Sequence, residues 1–236
     1  MKHTINLSLP ENAIDDKGNV LPNIVLDVFQ KAADVHGRML GVSFEEMLNK
    51  NLLWVITRIR YEVYGKAQNG QEVEVTTWPL KPTRMGYERD YVVSDLSGNV
   101  IIKGSSNWAL IDADTRRLSM SGNVYLCDDF CEEHVFESRV KRIRNFEAEK
   151  QAGEIIPDAS MIDLNNHVNN TYYAAFAEKA LGGFEGEIKA FQIDYHHEVL
   201  CGQPLSMAVA NVDGDVLVKG ENSDGTLMFC SVVEYK

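Results

Sequence analysis

Residues 163–170 read Asp-Leu-Asn-Asn-His-Val-Asn-Asn and concentrate an unusual amount of chemical capability in a short stretch of the 236-residue chain. Asp163, Asn165 and His167 alternate, and alternate side chains of an extended segment point the same way. We therefore predict that these three face one pocket. A carboxylate there can orient or charge the imidazole, or attack a carbonyl directly, so the pattern indicates acid–base or nucleophilic chemistry.

An apolar helical pattern follows at once, over roughly His167 to Leu181, and Gly182-Gly183 ends it. The start of that helix carries a partial positive charge and free amide groups, which stabilise an oxyanion. Two other interpretations stay open on these residues alone. Asx residues before a helix are common N-caps, and Asp163 and His167 with a distant Glu are potential metal ligands.

The elements that must position these residues occur in two similar sets. In the first half, a helix is predicted over 22–41, followed by a short helix opened by a capping box at Ser43. Strands are predicted after it at 52–64, 71–79, 86–94 and 100–112. In the second half, strands are predicted at 190–200, 205–211, 216–221 and 226–235, again after a helix.

This repeated order of helix and antiparallel meander indicates duplication. We predict an α+β fold, a double hotdog, in which each repeat wraps a curved antiparallel sheet around one long helix. The predicted boundaries are 1–128 for the N-terminal repeat, 129–158 for a polar linker and 159–236 for the C-terminal repeat, which carries the site.

Composition narrows the class of protein. A net charge of −12 argues against binding to nucleic acid or to an anionic membrane surface. Apolar runs are too short to span a bilayer, and the N-terminus resembles neither a signal nor a transit peptide, so we expect a bacterial cytoplasmic protein. The four cysteines form no disulfide or zinc pattern and are expected to be reduced. Motifs for a serine elbow, a zinc protease, a P-loop or a dinucleotide site are absent.

The segment Asp163–Asn170 with Tyr173 resembles the active-site segment of the acyl-acyl-carrier-protein thioesterases of plants and bacteria. Further blocks in the first half resemble the same family: Trp54–Arg58, Val73–Trp78, Gly86–Asp90, Ser105–Trp108 and Thr115–Ser119. The resemblance implies a double hotdog, and it implies a thiolester hydrolase of fatty acid biosynthesis that acts on acyl-acyl-carrier-protein (acyl-ACP).

By this resemblance the catalytic residues are Asp163, Asn165, His167 and Glu198, with no cofactor and no metal. Val199 stands where many plant members have a cysteine, so the nucleophile is expected to be water or a carboxylate. An acyl-coenzyme A thioesterase and an acyl-binding domain without turnover are the alternative functions. The acyl chain is expected in the N-terminal repeat, between helix and sheet, and both monomer and homodimer are compatible with the fold.

The expected partner, acyl carrier protein, is acidic, as this chain is. Docking then needs a local basic patch, and residues 139–144 offer one. We predict that acyl carrier protein docks on Arg139, Lys141, Arg142 and Arg144.

Overall fold

The computed structural model describes residues 1–83, 86–119, 122–126, 128, 130–163 and 166–236. Within these ranges the helices are α1 (Pro22–Met39), α2 (Phe44–Leu48) and α3 (Asn170–Leu181), with one 3-10 turn at Ala159–Met161. The strands are β1 (His3–Ser8), β2 (Leu52–Val63), β3 (Glu72–Pro79), β4 (Tyr87–Asp95), β5 (Val100–Asp112), β6 (Lys150–Ile155), β7 (Ile188–Tyr195), β8 (Leu205–Val212), β9 (Asp215–Glu221) and β10 (Leu227–Tyr235).

These strands form one antiparallel sheet in the order β1-β3-β4-β5-β2-β7-β10-β9-β8-β6. Outward from the central β2–β7 pair, the strands of the first half follow the order β2-β5-β4-β3-β1 and those of the second half the order β7-β10-β9-β8-β6. The two orders are the same when each strand of the second half is matched with the strand five places earlier in the chain. Each half places its helix after its first strand, and α1 and α3 contact each other. The predicted duplication is therefore visible in the topology.

The sequence-based strand assignments differ from the structure at three places. Two strands, β1 and β6, were not predicted from the sequence. β7 ends at Tyr195 and not at residue 200, so Glu198 lies in the loop after the strand. β6 falls inside 129–158, the range predicted as linker, and pairs with β8. β6 takes the place in the second repeat that β1 has in the first, so this repeat begins at Lys150 by strand order.

Helix α1 packs closely against the first half of the sheet. Pro22 begins the helix, where its missing N–H is no loss. Phe29 is wholly buried and stacks on Tyr91, with ring centroids 4.4 Å apart. Gly104 in β5 permits this approach, since a Cβ there would lie 2.3 Å from the Phe29 ring. A glycine in this strand is thus explained by packing.

The two repeats are joined through β2 and β7, which pair from Arg58 with Asp194 to Glu62 with Ala190. Arg58 Nε donates to Asp194 Oδ1 at 2.8 Å, and the Asp194 side chain is only 2% exposed. Arg60 pairs in the same way with Glu234 at 2.7 Å. Buried charges are tolerated when they are paired in this manner.

The segment 130–149 crosses the sheet and is held by side chains of the strands beneath it. The Val135 amide donates to Asp90 Oδ2 and the Ile143 amide to Asp194 Oδ2, each at 3.0 Å. Gln192 Nε2 donates to the Lys141 carbonyl at 2.7 Å. The segment therefore has a fixed path across both repeats. In the described part of the chain, no helix is long and apolar enough to cross a membrane.

Candidate active site

Backbone hydrogen bonds bring Asp163 and His167 together, whereas side-chain alternation assumes an extended run between them. The Asp163 amide donates to the His167 carbonyl at 2.8 Å, and the Asn166 amide donates to the Asp163 carbonyl at 3.1 Å. Asn166 adopts a left-handed conformation with φ of 66°, which asparagine tolerates better than most residues. The carboxylate of Asp163 accepts the His167 amide at 3.3 Å. Asp163 thus fixes the backbone that presents the imidazole.

Helix α3 begins directly after this turn. Asn169 is its N-cap, and its side chain accepts from the Thr171 amide and hydroxyl, both at 3.0 Å. The Tyr172 amide donates to the Asn169 carbonyl. The capping interpretation of the segment is therefore confirmed at Asn169. Because the cap occupies these two amides, the helix supplies mainly its positive dipole to the site.

The His167 imidazole meets a carboxylate from the loop after β7. His167 Nε2 lies 3.2 Å from Glu198 Oε2, with side-chain exposures of 22% and 41%. The structure therefore brings two of the four predicted site residues, Glu198 and His167, into direct contact.

The residues that follow this pair hold the two loops together. The Val168 amide donates to the Val199 carbonyl at 2.8 Å, and the Val199 amide donates to Tyr173 Oη at 3.0 Å. Val199 is fully buried. Burial raises the pKa of Tyr173, and the carboxylates of Glu198 and Asp163 raise it further, so its phenol stays protonated. In the sequence, Tyr173 belonged to the segment that resembles the family's active site, but no short-range pattern indicated its bond to Val199.

The second oxygen of Glu198 contacts the other repeat. Arg116 Nη2 donates to Glu198 Oε1 from the turn after β5. Arg116 appeared in the sequence as part of a basic pair and of a family-like block, but no short-range pattern connects it with Glu198, 82 residues away. The site is therefore formed by both repeats.

Asn165 lies outside the described residues, so its place in the site stays a prediction.

Cys131, Cys201 and Cys230 are free thiols, and Cys127 is also outside the described residues. Cys230 Sγ lies 3.6 Å from His196 Nε2, but burial raises the pKa of this thiol to about 12. A protonated thiol is a poor nucleophile, so this cysteine–histidine pair does not compete with the carboxylate site.

The turn at 163–167 has a counterpart at the same place in the first repeat. The Asp15 amide donates to the Asn19 carbonyl at 3.0 Å, the Asn19 amide returns to Asp15 Oδ1 at 2.8 Å, and Gly18 has the positive φ. Asn19 therefore stands where the second repeat has His167. It is buried and bonds across the repeats, accepting from the Ile188 amide at 2.7 Å and donating to the Gly186 carbonyl at 3.0 Å. The shared Asp-x-x-x-Asn/His-Val spacing is a sequence signal for this repeat.

Two further observations concern ligands around the site. Among the described residues, no cluster of three or more His, Cys, Asp or Glu side chains is arranged to hold a metal ion. The predicted basic segment reaches the Glu198 loop, since Arg142 Nη2 lies 2.8 Å from His196 Nδ1. Burial lowers the pKa of His196, and Arg142 lowers it further, so this imidazole is a neutral acceptor at pH 7.

Comparison with known proteins identifies the family of this chain. Residues 1–132, more than half of the chain, match the family model described as the acyl-ACP thioesterase N-terminal domain. The chain belongs to the acyl-ACP thioesterase family. An acyl-ACP hydrolase of Cuphea viscosissima is 30% identical over 175 residues, which cover 66% of this chain and 41% of that protein. An oleoyl-acyl carrier protein thioesterase of Coriandrum sativum is 24% identical and covers 82% of this chain and 58% of the relative.

Solved structures of the family confirm the predicted α+β double hotdog fold. An acyl-ACP thioesterase from Bacteroides thetaiotaomicron superposes with a TM-score of 0.85 at 22% identity, covering 100% of this chain and 98% of that one. The 12:0-ACP thioesterase from Umbellularia californica gives a TM-score of 0.84 at 21% identity, with 100% and 97% covered. The chain spans about half the length of the curated relatives it matches.

Proposed function

We propose that this protein hydrolyses the thioester of fatty acyl-acyl-carrier-protein, releasing a free fatty acid and holo-ACP in fatty acid biosynthesis. The observation that carries the proposal is the His167–Glu198 contact of 3.2 Å beside the N-terminus of α3. Membership of the acyl-ACP thioesterase family supports the choice of substrate.

In the proposed mechanism Glu198 and His167 activate a water molecule. Its oxygen attacks the thioester carbonyl carbon while its proton passes to this pair. Asn165 and the positive end of α3 stabilise the oxyanion that forms, the type of interaction that usually contributes most to such reactions. The C–S bond then breaks, and the thiolate of the phosphopantetheine arm takes up the proton.

Asp163 has two possible roles in this scheme. In the first, it holds the His167 backbone, in agreement with its bond to the His167 amide. In the second, its carboxylate attacks the carbonyl and forms a short-lived anhydride. A single turnover in ¹⁸O-labelled water separates them, because the label enters the Asp163 carboxylate only after the second route.

The first test of function compares thiol release from a panel of acyl-ACP and acyl-coenzyme A substrates of increasing chain length. Faster turnover of acyl-ACP supports the proposal, whereas a preference for acyl-coenzyme A assigns the same chemistry to another carrier. Stoichiometric binding of acyl chains without thiol release contradicts an enzymatic function.

Replacement of Glu198 by Gln keeps the size of the side chain and removes its basicity. We expect kcat to fall by about 10²–10⁴-fold, the range that a positioned general base contributes. The matched control is Glu187→Gln, because Glu187 is an exposed glutamate whose ion-pair partners are Lys66 and Lys236 and not the residues of the site. Near-normal turnover by the Glu198→Gln enzyme would remove Glu198 from the mechanism.

The proposed carrier docks on the exposed basic segment at Arg139, Lys141, Arg142 and Arg144. Two contacts support this location. Arg142 touches His196, two residues before Glu198, and Arg139 lies 3.5 Å from Glu88 on the first repeat. An acidic carrier bound to this segment would place its arm beside the catalytic pair.

A further inference from the structure

The turn after β5 is built to hold Arg116 in one place. The Asp112 carboxylate accepts the Thr115 amide and hydroxyl, each at 2.8 Å, and the Arg116 amide donates to the Asp112 carbonyl at 3.0 Å. Asn51 donates to Asp112 and to Asp114 from the start of β2, at 3.0 Å each. A turn fixed by this many hydrogen bonds presents its side chains with little freedom.

Arg116 itself has a backbone conformation that is unfavourable for its residue type. Its φ is 58°, in the left-handed region where glycine or asparagine costs less. Strain of this kind persists only where the surrounding structure enforces it, and it clusters at functional sites. Since glycine would fit this turn better, the reason for arginine lies in its guanidinium group.

Among the described residues, the guanidinium of Arg116 contacts the carboxylate of Glu198 in the second repeat. The pair is exposed, with 39% of the arginine and 41% of the glutamate side chain accessible. Exposed ion pairs contribute little to the free energy of unfolding. The strained turn therefore gains little stability from this contact, and a role in function explains it better.

We propose that Arg116 is a positioning residue for hydrolysis: it holds Glu198 Oε1, so that Oε2 faces His167 and the carboxylate is aimed at the attacking water. This inference rests on the proposed thioesterase function. It also makes the reaction depend on both repeats, because the first repeat supplies Arg116 and the second supplies the residues that it serves.

The first test uses three variants of the full chain and separates kcat from KM with a single acyl-ACP substrate. Arg116→Gly removes the guanidinium and also relieves the backbone, so thermal stability should be kept or slightly raised. We expect kcat to fall by about 10- to 100-fold, a part of what a general base contributes, with KM changed by less than about threefold. Arg116→Lys should recover a large part of this loss, and the matched control, Arg117→Ala, should behave like the wild type.

Two further measurements separate positioning from a merely structural role. Guanidinium ion added at millimolar concentration should restore part of the activity of Arg116→Gly, because it can occupy the vacated place beside Glu198. In the Glu198→Gln background, Arg116→Gly should cause no further fall in kcat, since a residue that acts through Glu198 has nothing left to position.

The outcomes distinguish this inference from the function on which it rests. If the wild-type chain releases no thiol from any substrate, the proposed function is overturned and the inference with it. If the wild type is active and Arg116→Gly keeps a normal kcat, only the inference is overturned. A rise in KM with unchanged kcat also overturns it, because Arg116 would then bind the substrate and not position Glu198.

Discussion

At the scale of single residues, the position of the proposed catalytic pair depends on the residues next to it in the chain. Glu198 and His167 both lie in loops, and the backbone bonds of the next residues, Val199 and Val168, join those loops. Tyr173 completes the arrangement from α3 by accepting the Val199 amide. The geometry of the pair therefore depends on a phenol oxygen that takes no part in the proposed reaction.

Replacement of Tyr173 by Phe tests this dependence. The change leaves the buried Val199 amide without its acceptor, which should lower the free energy of unfolding by about 1–3 kcal/mol. We expect kcat to fall by roughly 10- to 100-fold, because displacement of a catalytic group by about 1 Å can cost 10²-fold. Chemical denaturation and steady-state kinetics measure the two effects. The neighbouring Tyr172→Phe is the control, since its phenol donates to the Ser160 carbonyl in an exposed, long hydrogen bond of 3.4 Å; equal kinetics for the two variants would contradict the argument.

At the scale of elements, local patterns in the sequence predicted most of the fold, and the exceptions have physical reasons. The helix at 22–41 ends two residues early, at Met39, and the capping box at Ser43 is present with both of its bonds. β6, Lys150–Ile155, is largely exposed and polar, so no apolar alternation marks it. β1 does alternate, with Ile5 and Leu7 half-buried, and was detectable. The Arg116–Glu198 contact was not detectable from the sequence, because it depends on how the two repeats pack together.

The two equivalent turns before α1 and α3 show how one element serves two purposes. The turn of the second repeat offers His167 to Glu198, whereas that of the first buries Asn19 against the start of β7. Local sequence fixes the shape of both turns through an aspartate and a residue with positive φ. The fourth position after the aspartate differs between them, since it is Asn19 in the first turn and His167, the residue proposed to react, in the second.

Replacement of Asn19 by Ala tests the structural role. The Ile188 amide and the Gly186 carbonyl lose their side-chain partner at a buried position, so we expect the free energy of unfolding to fall by about 1–3 kcal/mol. Asn69→Ala is the matched control, because Asn69 is exposed and its side chain accepts one amide, that of Ile14. The control should lose about 1 kcal/mol or less. Urea denaturation measures both, and equal losses would show that Asn19 does not hold the repeats together.

At the scale of the whole molecule, segment 130–149 carries the basic residues on which the proposed partner docks. The segment crosses from the first repeat to the second, and its backbone is bound to Asp90, Gln192 and Asp194 of the sheet. Because the backbone is held, the side chains of Lys141 and Arg144 project as exposed charges. A chain of net charge −12 thus keeps a fixed basic surface beside its candidate site.

Charge reversal on this surface tests the docking of an acidic carrier. Lys141→Glu with Arg144→Glu leaves the Arg142–His196 and Arg139–Glu88 contacts in place, so the loop of Glu198 should keep its position. Opposite charges speed association and like charges slow it, which should lower kcat/KM for acyl-ACP by about tenfold at low salt, mainly through KM. The ratio of kcat/KM for acyl-ACP to that for acyl-coenzyme A should fall as well, and added salt should narrow the difference from the wild type. The control is the reversal of Lys50 and Lys81, two exposed lysines outside the segment, which should leave that ratio unchanged. If the segment variant keeps the KM of the wild type for acyl-ACP, the carrier docks on another surface.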